Sequence, residues 1–167
     1  MPDMKDALGR AGFKSAEPRR TRAGPAPSSG AHPGQPVESS FPPGYPKYFA
    51  ENGSIRVDMI TIEAERLAAR FEADRLKRHQ LRSFFDHAKR QSQRLVYGAP
   101  FGEVHPQIAL MKAFAADRAE RADNKLPQSF KQFIDRNVDA INNEAAFRRG
   151  FMPHFEAVVA YCARIKD

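Results

Sequence analysis

The chain has no tryptophan and one cysteine, and these absences already remove whole classes of protein. A single thiol, Cys162, excludes an internal disulfide framework and suits a reducing compartment. It lies in a stretch of helical periodicity, where a small buried hydrophobe is the expected role. No run approaches the ~18 apolar residues of a membrane span. The opening residues Met1 to Arg10 lack an apolar h-region, so no secretory signal and no membrane are expected, and the cytoplasm is the expected compartment. Chemical motifs are missing as well: there is no Gly-x-Ser-x-Gly, no Walker-type loop and no Rossmann fingerprint. The five histidines form no His-x-x-x-His or Glu-x-x-His pairing, so a metal lacks its minimum ligand set. The expectation is a non-enzyme with no catalytic residue, no metal site and no cofactor.

What is present is phenylalanine, proline and positive charge. Nine of the 13 prolines and six of the 10 glycines fall in residues 1–46. Such a stretch buries too little apolar surface to offset its ordering entropy, so residues 1–44 are expected to form a disordered arm. The remainder, 45–167, is expected to fold. Asn52-Gly53 between Tyr48-Phe49 and Ile55 predicts a tight turn, with room for a very short hairpin.

Beyond the turn the apolar residues recur every three or four positions, the period of helices. A first helix is expected from about Asp58 to Arg75, with Ile60, Ala64, Leu67, Ala68 and Phe71 inward and Asp58 or Thr61 as cap. A second runs from about His79 to Val96 on Leu81, Phe84, Phe85, Ala88 and Leu95. Residues 97–102 form the clearest internal loop. A third helix is expected to start near Pro106, a favoured first-turn residue, with Ile108, Met111, Phe114 and Ala115 inward. Phe130, Phe133, Ile134, Val138 and Ile141 mark a fourth. The last carries Phe147, Phe151, Phe155, Val158, Tyr161 or Cys162, and Ile165, with Pro153 expected to kink it or open it. No alternating strand pattern appears, so the expected fold is all-α, a compact bundle of about five helices.

Charge is uneven. The formal net charge is +7 and the isoelectric point about 9.8, which favours an acidic partner. Between Arg66 and Arg94 nine basic residues face three acidic ones. Arg78, Arg82, Lys89 and Arg90 flank the apolar stripe of the second helix, as expected of a row that meets backbone phosphates. Aromatic RNA-binding motifs, a Gly-x-x-Gly loop and a recognition helix are all missing, which argues against reading of base sequence.

Four segments carry a family likeness. They are Tyr48 to Arg56 followed by Ile60-Thr61-Ile62-Glu63-Ala64-Glu65; Leu76-Lys77-Arg78-His79-Gln80-Leu81-Arg82-Ser83-Phe84-Phe85; Ile108 to Phe114; and Phe147, Phe151 and Phe155-Glu156-Ala157-Val158-Val159-Ala160-Tyr161. Together they resemble the small helical subunit of type III-A CRISPR effector complexes, the Csm complexes. The chain departs from that pattern at Lys77-Arg78-His79, where a Thr or Ser helix cap is usual.

The resemblance implies a non-catalytic subunit of an antiviral interference complex. Copies stack into a filament beside the backbone subunits and support the duplex of guide RNA and target RNA. The implied partners are those RNAs, the backbone and large subunits, and neighbouring copies. It places RNA contact at Arg82, with Arg78, Lys89 and Arg90 sharing its face or end, and with Lys112, Arg118 and Arg121 on the middle helix. Two other readings stay open on the residues alone: a free-standing basic protein binding nucleic acid non-specifically, and a helical protein–protein adaptor.

Overall fold

The computed structural model describes residues 41–165, and the arm expected over residues 1–44 lies outside them as far as residue 40. The described residues form α1 (Val57–Ile60), α2 (Ile62–Ala73), α3 (Arg78–Val96), α4 (Phe101–Glu120), α5 (Gln128–Ala140) and α6 (Met152–Tyr161). A π-helical segment, Ala146–Phe151, runs directly into α6, and a 3₁₀ turn, Cys162–Arg164, follows it. Among the described residues pairing of the β kind is limited to one antiparallel bridge, Phe49 to Ile55. That bridge closes the expected short hairpin, with Gly53 at φ +76° and Asn52 Oδ1 accepting the Ser54 N–H at 3.0 Å. The fold is all-α.

Several boundaries differ from the periodicity. The first expected helix is two. Thr61 departs from helical geometry at φ −118°, ψ −89°, and its hydroxyl donates back to the Val57 carbonyl at 2.8 Å instead of capping α2. The break changes the helical phase, so Met59 is buried and Ile60 only half-buried. α4 begins at Phe101 rather than near Pro106, and part of the expected loop is helix. The proline removes one hydrogen bond, to the carbonyl of Gly102, an exposed residue. Pro153 falls in the first turn of α6, directly after the widened π turn in which the Met152 N–H reaches Phe147 O.

Six phenylalanines dominate the core: Phe71, Phe130, Phe133, Phe147, Phe151 and Phe155 are among the largest fully buried side chains. Phe133 meets four of the others, Phe71, Phe130, Phe151 and Phe155, at centroid distances of 5.6, 5.7, 6.3 and 5.3 Å, and Phe155 joins this cluster to Phe85 of α3 at 5.4 Å. Edge-to-face and offset contacts of this kind add to area burial. The C-terminal stripe is buried through Phe147, Phe151, Phe155, Val158, Cys162 and Ile165, and Tyr161 points outward. Burial pushes the Cys162 thiol up to about 12, so it packs as a hydrophobe rather than reacting.

A segment ahead of the helices is strapped to this core. Phe41, Tyr45 and Tyr48 are buried. The Tyr48 hydroxyl donates to Asn137 Oδ1 at 2.6 Å, and Asn137 Nδ2 donates to the Tyr45 hydroxyl at 2.9 Å. Tyr45 in turn meets His154 Nε2 at 2.8 Å, while His154 Nδ1 lies 2.5 Å from the Met59 carbonyl. A carbonyl only accepts, so the proton sits on Nδ1 and Nε2 accepts from Tyr45. Burial holds the imidazole pKa down at about 4, against weaker opposing effects of the Met59 bond and Glu63. Gly150 is required by the same strap, because a Cβ there would come within 2.7 Å of the Tyr48 ring.

Candidate nucleic-acid interface

α3 is positioned by its two ends and its apolar side. At its start the Lys77 N–H donates to Gln80 Oε1 at 3.1 Å, the half of a capping box that satisfies the residue ahead of the helix and not the first-turn N–H groups a Thr or Ser would serve, and the helix opens one residue earlier than expected, at Arg78. Gln80 Nε2 also donates to the Asn124 carbonyl at 2.7 Å, which ties this end to the loop before α5. Ahead of it α2 closes in a Schellman arrangement: the Leu76 N–H reaches Phe71 O at 2.9 Å and the Arg75 N–H reaches Glu72 O at 3.1 Å. Arg75 takes the left-handed position at φ 60° that glycine usually fills. At the far end of α3 the same motif uses Gly98, at φ 91°. Leu81, Phe84, Ala88 and Leu95 turn inward.

The helix carries five basic residues and one acidic residue, Asp86. At about 100° per residue, Arg78, Lys89 and Arg82 fall within an arc of about 40°, and Arg90 lies about 80° further round, towards α4. All four are exposed. Among the described residues none of the four makes an ion pair or hydrogen bond through its side chain, and Asp86 makes none with them.

The three basic residues expected on α4 are arranged differently. Lys112 faces α5 and pairs with Asp139 at 2.5 Å, a bond that raises its pKa. Arg121 pairs with Asp117 at 2.5 Å. Arg118 turns towards α3, donating to Ser83 Oγ at 3.0 Å with its guanidinium 5.0 Å above the Phe84 ring. The seven expected residues are thus a free row on α3, a groove pair formed by Arg90 and Arg118, and two cations neutralised by carboxylates, with Lys112 on the opposite side of α4. Elsewhere the charges pair locally, as in Arg66–Glu63 and Arg70–Asp74, which matches the interleaving of signs in the sequence.

The groove holds a residue that periodicity misplaced. Ser83, Phe84, His87, Arg90, Phe114 and Arg118 line a cleft of about 250 Å³ between α3 and α4. Phe114 was expected in the core and is instead 41% exposed. Val104, Ile108, Met111, Ala115 and Ala119 make a complete inward stripe without it, and that 4-3-4-4 spacing is the signal that places Phe114 on the flank. His87 stands against it, ring centroids 5.7 Å apart, with Nε2 donating to the Gln107 carbonyl at 2.8 Å.

Among the described residues no group of His, Cys, Asp or Glu could hold a metal ion, and no helix is long and apolar enough to cross a membrane. What the arrangement offers is a helical scaffold with one cationic face. This is a basic, all-helical bundle of the accessory kind. The family model of Csm2 Type III-A matches residues 56–166, and the chain belongs to that family. It is a small subunit of type III-A CRISPR Csm complexes, a structural member working with other subunits. No curated protein and no solved structure matches it.

Proposed function

We propose that this subunit supports the guide RNA–target RNA duplex of its complex by holding sugar–phosphate backbone against the exposed face of α3, with copies stacking side by side along that duplex. The observation that carries this reading is the contrast in charge pairing. Arg78, Arg82, Lys89 and Arg90 are exposed and unpaired among the described residues, whereas Lys112 and Arg121 are engaged by carboxylates. Unpaired cations in a row release condensed counterions on meeting phosphates and need no base identity. Base pairing reads the target, while the subunit holds shape and backbone. On this reading RNA cleavage and signalling belong to neighbouring subunits, and the protein contributes to antiviral defence inside the cell without a reaction of its own.

The test is target-RNA capture by the assembled complex carrying Arg82→Glu, alone and with Arg78→Glu and Lys89→Glu. The triple variant is expected to lose about tenfold or more in capture, with a shallower salt dependence of about one unit per lost phosphate contact. The isolated chain should keep its helical content, because these side chains support no packing. Unchanged capture by the triple variant would remove α3 as the RNA face. Tight binding of duplex DNA by the isolated chain would instead favour a free-standing nucleic-acid binder.

A further inference from the structure

Backbone support explains cations, but it does not explain an aromatic ring on the surface beside them. Phe114 is 41% exposed and Leu110, one turn earlier on the same flank of α4, is 42% exposed. A ring there serves no core stripe, since the inward positions of α4 are complete without it. It sits in a cleft with two guanidiniums of unlike freedom. Arg118 is held in place by Ser83 and the Phe84 ring, and Arg90 has no partner among the described residues. His87 Nε2 is committed to the Gln107 carbonyl, which fixes the imidazole beside Phe114 and leaves Nδ1 as its remaining polar atom. The groove's volume, about 250 Å³, is of the order of one nucleotide rather than of a helix.

We propose that the α3–α4 groove is a seat for a single unpaired nucleotide, whose base stacks on Phe114 while its phosphate lies between Arg90 and Arg118. The inference rests on the reading of α3 as an RNA-facing helix and adds a different contact to it. A base inside a duplex has both faces covered by its neighbours, so an exposed protein ring is of use only to a base that has left the stack or belongs to a single strand. Stacking is tolerant of sequence because every base has a π-face. The seat therefore holds a nucleotide without reading it, in keeping with the absence of sequence-reading motifs. A row of phosphate contacts on α3 and an unpaired residue in the groove beside it also give the RNA a fixed lateral position, which phosphate contacts alone do not.

The experiment uses the full chain with a short single-stranded RNA bearing one 2-aminopurine, and with the same strand annealed to its complement. For the wild-type chain, stacking on Phe114 should quench the 2-aminopurine of the single strand and leave the duplex signal unchanged. Phe114→Ala is expected to weaken single-strand binding about tenfold and to abolish the quench. Its salt slope should not change, because no phosphate contact is lost. Phe114→Leu, which keeps apolar bulk at a half-exposed site, should behave like Phe114→Ala, and Phe114→Tyr should restore both signals. Arg90→Gln should lower the salt slope by about one. Equal affinity and equal quench in wild type and Phe114→Ala overturn the nucleotide seat. If Arg82→Glu still weakens duplex binding in that case, the α3 backbone reading stands alone. If the wild-type chain binds neither RNA, the nucleotide seat falls, and the α3 reading is decided separately by target-RNA capture in the assembled complex.

Discussion

α6 and α3 lie against each other where Phe155 meets Phe85, yet the two helices are made for opposite purposes. α6 carries one charged residue, Glu156, and buries His154, Phe155 and Val158. α3 carries six charged residues, five of them basic, and turns them to solvent. On α6 the polar groups are few and tied down, as in the chain from Tyr48 through Asn137 and Tyr45 to His154. On α3 four of the five cations, Arg78, Arg82, Lys89 and Arg90, have no partner among the described residues, and Arg94 meets Gln91 of its own helix at 3.2 Å. A group already bonded inside the fold contributes to stability and is closed to a ligand, while an unpaired exposed cation contributes little to stability and is open to phosphate. Stability and recognition are therefore separable in this protein, and variants should divide accordingly.

The largest expected effect is on the α6 side. Phe155→Ala removes the ring at which Phe85, Phe133 and Phe151 converge and should lower unfolding free energy by about 3–5 kcal/mol, read by urea denaturation. A loss under about 1 kcal/mol would mean that the neighbouring rings collapse into the space and that Phe155 does not hold α3 to the core. Next in size is an acid sensitivity from His154. Its folded pKa is held at about 4 against an ordinary 6.5, so the unfolded chain takes up the proton first as pH falls. Stability is then complete above about pH 6.5 and declines down to about pH 4, by roughly 3 kcal/mol over that window. Denaturation at pH 7.5 and 4.5 in wild type and His154→Gln checks it, since the variant should lack this part of the slope. Parallel slopes in the two proteins would assign the acid loss to carboxylates instead.

The smallest effect lies at the α2–α3 corner and sharpens the comparison from the other side. Arg75 and Gly98 occupy equivalent left-handed positions in two Schellman caps, one at each end of α3. Arg75→Gly should raise stability by about 1 kcal/mol, because glycine adopts that conformation without a Cβ clash. It also removes one positive charge beside Arg78. A small gain in melting temperature with a slight loss of RNA capture would show the corner trading backbone ease for charge. A variant that melts lower than wild type would show that the arginine side chain itself holds the corner.

The helical class and the inward faces of α5 and α6 were legible in the sequence because a 3.6-residue period survives without knowledge of neighbours. Phe130, Phe133, Ile134, Val138 and Ile141 are all buried as the spacing implies. The hairpin at Asn52-Gly53 was legible because the turn chemistry is local. The break at Thr61, the early start of α4 at Phe101 and the bond from the Lys77 N–H to Gln80 were not, since each depends on a hydrogen bond that composition does not announce. The same holds for the candidate site. The excess of cations on α3 could be counted along the chain, but the pairing of Lys112 with Asp139 joins α4 to α5, and Phe114 meets His87 across two helices.

By itself, then, the sequence determined a basic helical bundle, its aromatic C-terminal stripe and the helix on which charge accumulates, because periodicity and charge density are properties of short segments. Tertiary structure decided what packing between helices adds to that. Setting α4 against α5 brought the Asp139 carboxylate to Lys112, whereas Arg121 is neutralised by Asp117 one turn earlier, and setting α4 against α3 opened the groove in which Phe114 stands exposed between two arginines.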